Sequence, residues 1–171
     1  MKKKIMSFDC ETNGLWGTAF AIAAIVENED GSVEKFSARC PIEGEVNPWV
    51  KENVLPQIDG EITHQTYASM LKSFAEFYLR HKEGAEIIVH MGVPVEAKVI
   101  IDLHSYGFIG DWDGPYPLID ISAIGEIGTS VDSYNASNGI CVDYNGSTHN
   151  PMYDSIAALC AYKHWKSKLS V

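Results

Sequence analysis

KIMSFDCETNGLWGTAFAIAAIVENEDGSVEKFSA, residues 4–38, decides the architecture. Lys4 to Cys10 is mostly apolar and β-prone, and it runs into Thr12-Asn13-Gly14, a turn signal. Thr18 to Glu27 reads as a second, buried strand, and Asn28-Glu29-Asp30-Gly31 as the hairpin turn into a third, Ser32 to Ala38. Outward from this stretch, helices and strands alternate. Pro41 to Gly60 carries Gly44, Pro48, Pro56 and Gly60 and reads as a long surface excursion with one helical turn. Thr66 to His81 sets Tyr67, Met70, Leu71, Phe74, Phe77 and Tyr78 at helix spacing. Ala85 to His90 is a short buried strand, Val95 to Tyr106 a helix ended by Gly107, and Pro117 to Ile121 a further strand. Asn150 caps a last helix that has Pro151 at its first position and runs to Lys168. Three antiparallel strands followed by this alternation predict an α/β fold, a mixed sheet flanked by helices.

A chain of 171 residues is about one domain long, so residues 1–171 are expected to form a single domain. Its 46% hydrophobic content suits an ordinary buried core and is too high for a disordered chain. The longest apolar run, Ala19 to Val26, is strand-sized and far short of the roughly 20 residues that span a bilayer. Lys2 to Lys4 resemble the start of a signal peptide, but Ser7, Asp9 and Glu11 follow at once, so no export signal is read. Cys10, Cys40, Cys141 and Cys160 are scattered, which fits reduced thiols in a cytoplasm and neither a disulfide framework nor a zinc site. The net charge of −10 argues against a passive nucleic-acid binder, which needs a basic face. It leaves open an enzyme whose bound cations offset a carboxylate cluster.

Asp9 and Glu11 form such a cluster in outline. At i and i+2 of one strand they point to the same face, with backbones about 6.5 Å apart. Two like charges there repel unless something positive sits between them. A pair of divalent cations about 4 Å apart does this, and hard oxygen ligands select Mg²⁺ or Mn²⁺. Two acids at a solvated strand end are the bland alternative. The segment Thr148-His149-Asn150-Pro151-Met152-Tyr153-Asp154 adds a histidine before a helix and an aspartate early in it. Asp154 shares a helix face with Ala157, Ala158 and Ala161, small residues that let the helix lie close to the sheet. His149 is placed to act on a water near neutral pH.

On these residues the sequence resembles the DEDD-h 3′–5′ exonucleases. Phe8-Asp9-Cys10-Glu11-Thr12-Asn13-Gly14-Leu15 is similar to that family's first motif, and His149-x-x-x-x-Asp154 to its third. Val89-His90-Met91-Gly92-Val93-Pro94-Val95-Glu96 resembles the second, a strand ending in histidine before a helix that opens with an acid. The resemblance runs in the family's order from Met1 to about Lys168, with Ile62-Thr63 and Asp120 as lesser features. It departs at Glu96, where the family usually has aspartate, at Met91 in place of asparagine, and at Pro151 and Ser155 in place of small third-motif residues.

The resemblance implies an RNase H-like core and two-metal hydrolysis of phosphodiester bonds in DNA or RNA, with two Mg²⁺ or Mn²⁺ ions per active site. It implies that Asp9 bridges the ions, Glu11 and Asp154 hold the nucleophile-side ion, and Glu96 supports the second through water. His149 is implied as general base. Thr12, Asn13, Gly14, Leu15 and His90 are implied to bind the terminal nucleotide, with Leu15 wedged against a base. The expected partner is a nucleic acid with a free 3′ end, single-stranded in the first instance, and a homodimer is left open.

Two other functions fit the same residues: a phosphodiesterase for short oligonucleotides or cyclic nucleotides, and an inactive nucleic-acid- or protein-binding module of the same fold. Trp16 and Trp112, in Gly-rich segments, are better candidates for base stacking than Trp49 and Trp165. Gly107 to Pro117 is a candidate rim for a substrate groove, and Gly139 to Ser147 a mobile loop. His64, His81, His104 and His164 read as surface or interface residues, and Asp102 as the partner of an exposed ion pair with Lys98.

Overall fold

In the computed structural model, which describes residues 3–169, the expected α/β architecture is present. Strands β1 (Ile5–Thr12), β2 (Ala19–Glu27) and β3 (Val33–Arg39) form an antiparallel meander. A short helix α1 (Pro48–Asn53) and helix α2 (Tyr67–His81) follow, then β4 (Glu86–Val89), α3 (Val95–Ser105) and β5 (Leu118–Asp120). Helices α4 (Val131–Ser137) and α5 (Pro151–Lys168) complete the fold. The sheet order is β3-β2-β1-β4-β5, with β4 and β5 parallel to β1, which is the RNase H-like mixed sheet.

β2 is buried along all nine residues because helices cover both of its faces. Its neighbour β1 sorts its side chains by alternation. Met6, Phe8 and Cys10 enter the core under α2 and α3 with Phe74, Tyr78 and Leu103. Ile5 enters the opposite core with Ile88, Ala157, Ala158 and Ala161 of α5. α2 starts where Thr66 and Ser69 exchange a capping box, and α5 starts where the Asn150 carboxamide accepts from the Met152 and Tyr153 amides.

Three expectations need correction. Gly107 to Pro117 does not rim the carboxylates. It leads into β5 at Leu118, beside Ile87, which itself pairs with Met6 near the start of β1. Asp9 and Glu11 lie three to five strand residues further on, roughly 10–17 Å away. Asp113 fastens the loop there, its carbonyl accepting from the Tyr78 hydroxyl at 2.7 Å and its carboxylate pairing with Lys82 at 3.0 Å. Trp112, although 88% exposed, is therefore at the wrong end for stacking beside the carboxylates. A turn-rich aromatic segment reads alike at either end of a parallel sheet, and only strand direction decides. His81 is buried, not superficial, because the last turn of α2 packs it against Phe77 with Glu34 3.5 Å from its Nε2. α4 was not foreseen, since Val131-Asp-Ser-Tyr-Asn is too short to show a period.

Among the described residues, no helix is long and apolar enough to cross a membrane.

The alanine face of α5 sets how near Asp154 comes to the sheet. Ala161, fully buried, has no room for a larger chain. Ala161→Leu is expected to destabilise by about 1–3 kcal/mol, the usual cost of overpacking, as measured by urea denaturation.

Candidate active site

Asp9 and Glu11 continue the Ile5 row of β1 toward its C-terminal end, on the α5 side of the sheet. Asp154 occupies the first turn of α5. Ser155 bonds to the Ala23 carbonyl at 3.2 Å, and Ala23 is the cross-strand neighbour of Asp9. The helix start is thereby fixed over β1, and one carboxylate oxygen from each of Asp9, Glu11 and Asp154 lies within 4.8 Å of the others.

Glu96 arrives from the other side. β4 pairs with β1 only as far as Ser7, which leaves the later edge of β1 without a strand partner. The first turn of α3 fills this gap, and the fully buried Glu96 accepts a hydrogen bond from the Cys10 amide at 2.9 Å. The β4–α3 connection that delivers it is held by Asp120, whose carboxylate accepts from the Met91 and Gly92 amides at 3.0 and 2.9 Å. Met91 is in the left-handed region at φ 54°. Gly92 admits no side chain, since a Cβ there would lie 2.4 Å from Val89 Cγ2.

His149 closes the cluster from the loop before α5. Its backbone is left-handed, φ 71°, and its amide donates to Asp154 Oδ2 at 2.9 Å. Nδ1 stands 3.6 Å from Glu11 Oε1, an electrostatic rather than a hydrogen-bonding separation. The ring meets Trp49 edge-on, centroids 5.3 Å apart. Trp49 is in turn positioned by Asn13, whose side chain accepts from the Asn47 amide and donates to the Glu45 carbonyl. On the other flank, Asp132 of α4 accepts from Thr148 Oγ1 at 2.8 Å and from the Tyr153 hydroxyl at 3.0 Å.

Negative charge is crowded here. Burial, then the charges of Glu96, Asp154 and Glu11, push the Asp9 carboxyl well above its usual range. Burial, then Asp154 and Glu96, raise Glu11 to about 8. Burial raises Asp154 to about 7 against the His149 hydrogen bond, with Asp132 adding to the rise. Burial also raises Glu96 to about 8, opposed by its backbone hydrogen bonds and reinforced by Asp120 and Asp154. His149 is shifted the other way, its pKa lowered by burial. Among the described residues, no lysine or arginine pairs with any of the four carboxylates. Convergent hard oxygens whose charge no protein cation answers form a donor set suited to Mg²⁺ or Mn²⁺.

The structure thus brings Asp9, Glu11, Asp154 and His149 together, with Glu96 beside them but outside the group of three oxygens. Leu15 is 63% exposed and walls an adjoining cleft, whereas Thr12 is buried, its hydroxyl bonded to the Gly14 carbonyl at 2.8 Å. Gly14, at φ 83°, makes the turn. The Asn13 side chain is committed to the Trp49 segment, and His90 Nε2 lies 3.0 Å from the Gly128 carbonyl. Asp102 is remote from this group. It binds Lys98 at 2.5 Å as expected, but it is also half-buried and takes the Tyr67 hydroxyl at 2.7 Å. Trp49, Asp120 and Asp132 were missed or undervalued by sequence reasoning. Trp49 lies in a Pro-rich excursion without periodicity, so no local signal placed it near His149.

No family profile matches the chain, and no curated protein matches it in sequence. In fold it is similar to E. coli Exonuclease I in complex with a dA16 oligonucleotide, with a TM-score of 0.69 and 14% identity. That match covers 97% of this chain and 41% of the other. It is similar also to the ExoI/SSB-Ct complex, with a TM-score of 0.64, 14% identity, and coverage of 99% and 43%. The chain spans well under half the length of these solved chains, and at this identity the likeness is one of fold.

The raised carboxyls fix a pH dependence. Without metal, the folded protein retains protons that the unfolded chain releases between its carboxyl range near 4 and the folded values of about 7 to 8. Protons bound then exceed those of the unfolded state, so stability should fall as pH rises through this window. Asp9→Asn should flatten the fall, and a divalent cation should reverse it. At a hundred times its Kd a bound ion adds about 2.7 kcal/mol, roughly 5–10 °C in melting temperature for a chain of this size. Thermal melts across pH, with and without Mg²⁺ or Mn²⁺, test this, and a melting temperature indifferent to both would remove the metal reading.

Proposed function

We propose that this chain is a metal-dependent 3′–5′ exonuclease acting on single-stranded DNA or RNA. One observation carries the reading. Three carboxylate oxygens converge within 4.8 Å without a lysine or arginine partner among the described residues, and the imidazole of His149 stands beside them. The resemblance of Phe8–Leu15 and His149–Asp154 to exonuclease motifs supports hydrolysis from a 3′ end. So does a fold shared with an exonuclease that was solved with an oligonucleotide bound.

In this reading Asp9, Glu11 and Asp154 hold divalent cations, with Glu96 behind them. When bound, such ions stabilise charge on the attacking and leaving oxygens of a phosphodiester. His149, whose neutral form is favoured by burial, accepts the proton of the attacking water on a ring nitrogen. The water oxygen bonds to phosphorus and the P–O3′ bond breaks. The departing 3′ oxygen takes up a proton, and a nucleoside 5′-monophosphate is released. The Asp154 carboxylate orients the His149 segment through the amide bond, and Trp49 limits rotation of the ring.

A linear strand labelled at its 5′ end should shorten from the 3′ end and stop in EDTA, and a closed circle should survive. Rapid cutting of circles would mean an endonuclease. His149→Ala should lower turnover by roughly 10²–10⁴-fold and keep metal-induced stabilisation, with loss of the acidic limb of the pH–rate profile. If metal stabilisation vanished with the histidine, His149 would be a ligand instead.

Glu96→Gln retains an acceptor for the Cys10 amide and removes the charge. It should cost about 10–100-fold in activity, the scale for a group supporting metal ligands. Asp102→Asn should stay within a few-fold in activity while losing stability, because its carboxylate serves Tyr67 and Lys98. The reverse ranking would remove Glu96 from the site.

A further inference from the structure

Beside the carboxylates lies a cleft of about 430 Å³, walled by Leu15, Asn47, Trp49, Val54, Val95 and His149. Small-ligand clefts run from roughly 300 to 1,000 Å³, so this one suits the last nucleotide or two of a strand. Among the described residues no lysine or arginine contributes to its wall; its charged or titratable members are Cys10, Glu11 and His149. Leu15 and Trp49 are 63% and 55% exposed. Trp16, Met91 and Val93, also exposed, sit on the loops that follow β1 and β4 at this same end of the sheet.

Lys51, exposed on α1 next to Val50, stands at the edge of this wall, and the cations with assigned partners are engaged. Lys3 and Lys166 bind Glu86, where β4 begins, and Lys163 binds Glu27, opposite Ile5 at the start of β1. Lys82 is held by Asp113 at that same far end, and Lys168 donates to Asn138. Lys98 is engaged by Asp102, and Arg39 by the Gly60 carbonyl. A strand leaving the cleft meets exposed apolar side chains and the single Lys51 on a protein of net charge −10, with no row of cations to follow among the described residues.

We infer, resting on the exonuclease reading, that substrate is gripped through the bases of its terminal nucleotides and not along its phosphates. The preferred substrates are then short single strands, and a longer strand is released after each cut. Stacking on an aromatic ring contributes about 1–3 kcal/mol per base and tolerates any sequence. Each phosphate contact would instead add salt dependence. Between about 50 and 200 mM salt, one contact on a single strand costs roughly threefold in affinity, and five cost on the order of a hundredfold.

The test compares a trinucleotide with a strand roughly ten times longer, at both salt concentrations. It uses kcat/KM for the intact enzyme with Mg²⁺ and fluorescence anisotropy for Asp9→Asn. The expected result is a trinucleotide cleaved at least as well per 3′ end, a salt effect within about threefold for both strands, and a ladder of intermediates from the longer one. Trp49→Ala should weaken binding of both strands by the same factor, about 5–100-fold. Processive degradation of the long strand with a hundredfold salt loss overturns the inference and leaves the exonuclease reading standing. A Trp49→Ala loss confined to the trinucleotide overturns it too, since the long strand would then be held elsewhere. Salt-insensitive binding of the trinucleotide without hydrolysis supports the grip and removes the exonuclease reading. Failure to bind either strand overturns the inference.

Discussion

Asp9, Glu11 and Asp154 repel one another, and much of the molecule is arranged to hold them together in spite of this. Burial comes first in the upward shifts of Asp9 and Glu11, and the repulsion adds to it, with Glu96 contributing from the α3 side. The opposing force is hydrophobic and sits below the site. Ala157, Ala158 and Ala161 bury against Ile5, Ala23 and Ile88, so α5 lies low on the sheet and its first turn cannot swing away. Backbone donors do the rest. The Cys10 amide holds Glu96 and the His149 amide holds Asp154, each leaving carboxylate oxygen capacity for another partner.

Much of this was legible because two periodicities carry it. Alternation in Ile5–Thr12 puts Asp9 and Glu11 on one face, and helical spacing in Pro151–Lys168 puts Asp154 above the alanines. Element boundaries hidden in irregular chain were not legible. α4 is seven residues long, and the excursion holding α1 has no period, yet these two supply Asp132 and Trp49 on either side of His149. Asn13 shows the difference between motif and geometry. The motif marks it for substrate, whereas its side chain ties the β1 turn to Asn47 and so sets the position of Trp49. Gly107–Pro117 failed for another reason. Composition describes a rim and does not say which end of the sheet it rims.

The two ends of the sheet are opposite in charge as well as in position. The starts of β1 and β4 gather Lys3, Lys82, Lys163 and Lys166, each matched by a carboxylate. The far ends gather four carboxylates without such partners among the described residues. Matched pairs at one end take four of the thirteen basic residues out of any basic face. Unmatched acids at the other concentrate the negative potential of a chain of net charge −10 where the three carboxylate oxygens converge.

His149 joins these arrangements at a single residue. A left-handed backbone in a residue other than glycine costs of order 1–3 kcal/mol and persists only where the surroundings enforce it. Here the enforcing contact is with Asp154, one of the three converging carboxylates, so the position of the imidazole depends on the charge of that cluster. An ionised Asp154 accepts the amide more strongly than a protonated one does. Whatever keeps Asp154 ionised therefore also fixes the histidine in place. In the absence of cations the raised pKa of Asp154 weakens that hold. On the exonuclease reading, bound cations would keep the carboxylate charged and secure the left-handed turn, so that the proposed base would be positioned under the same conditions that assemble the rest of the site.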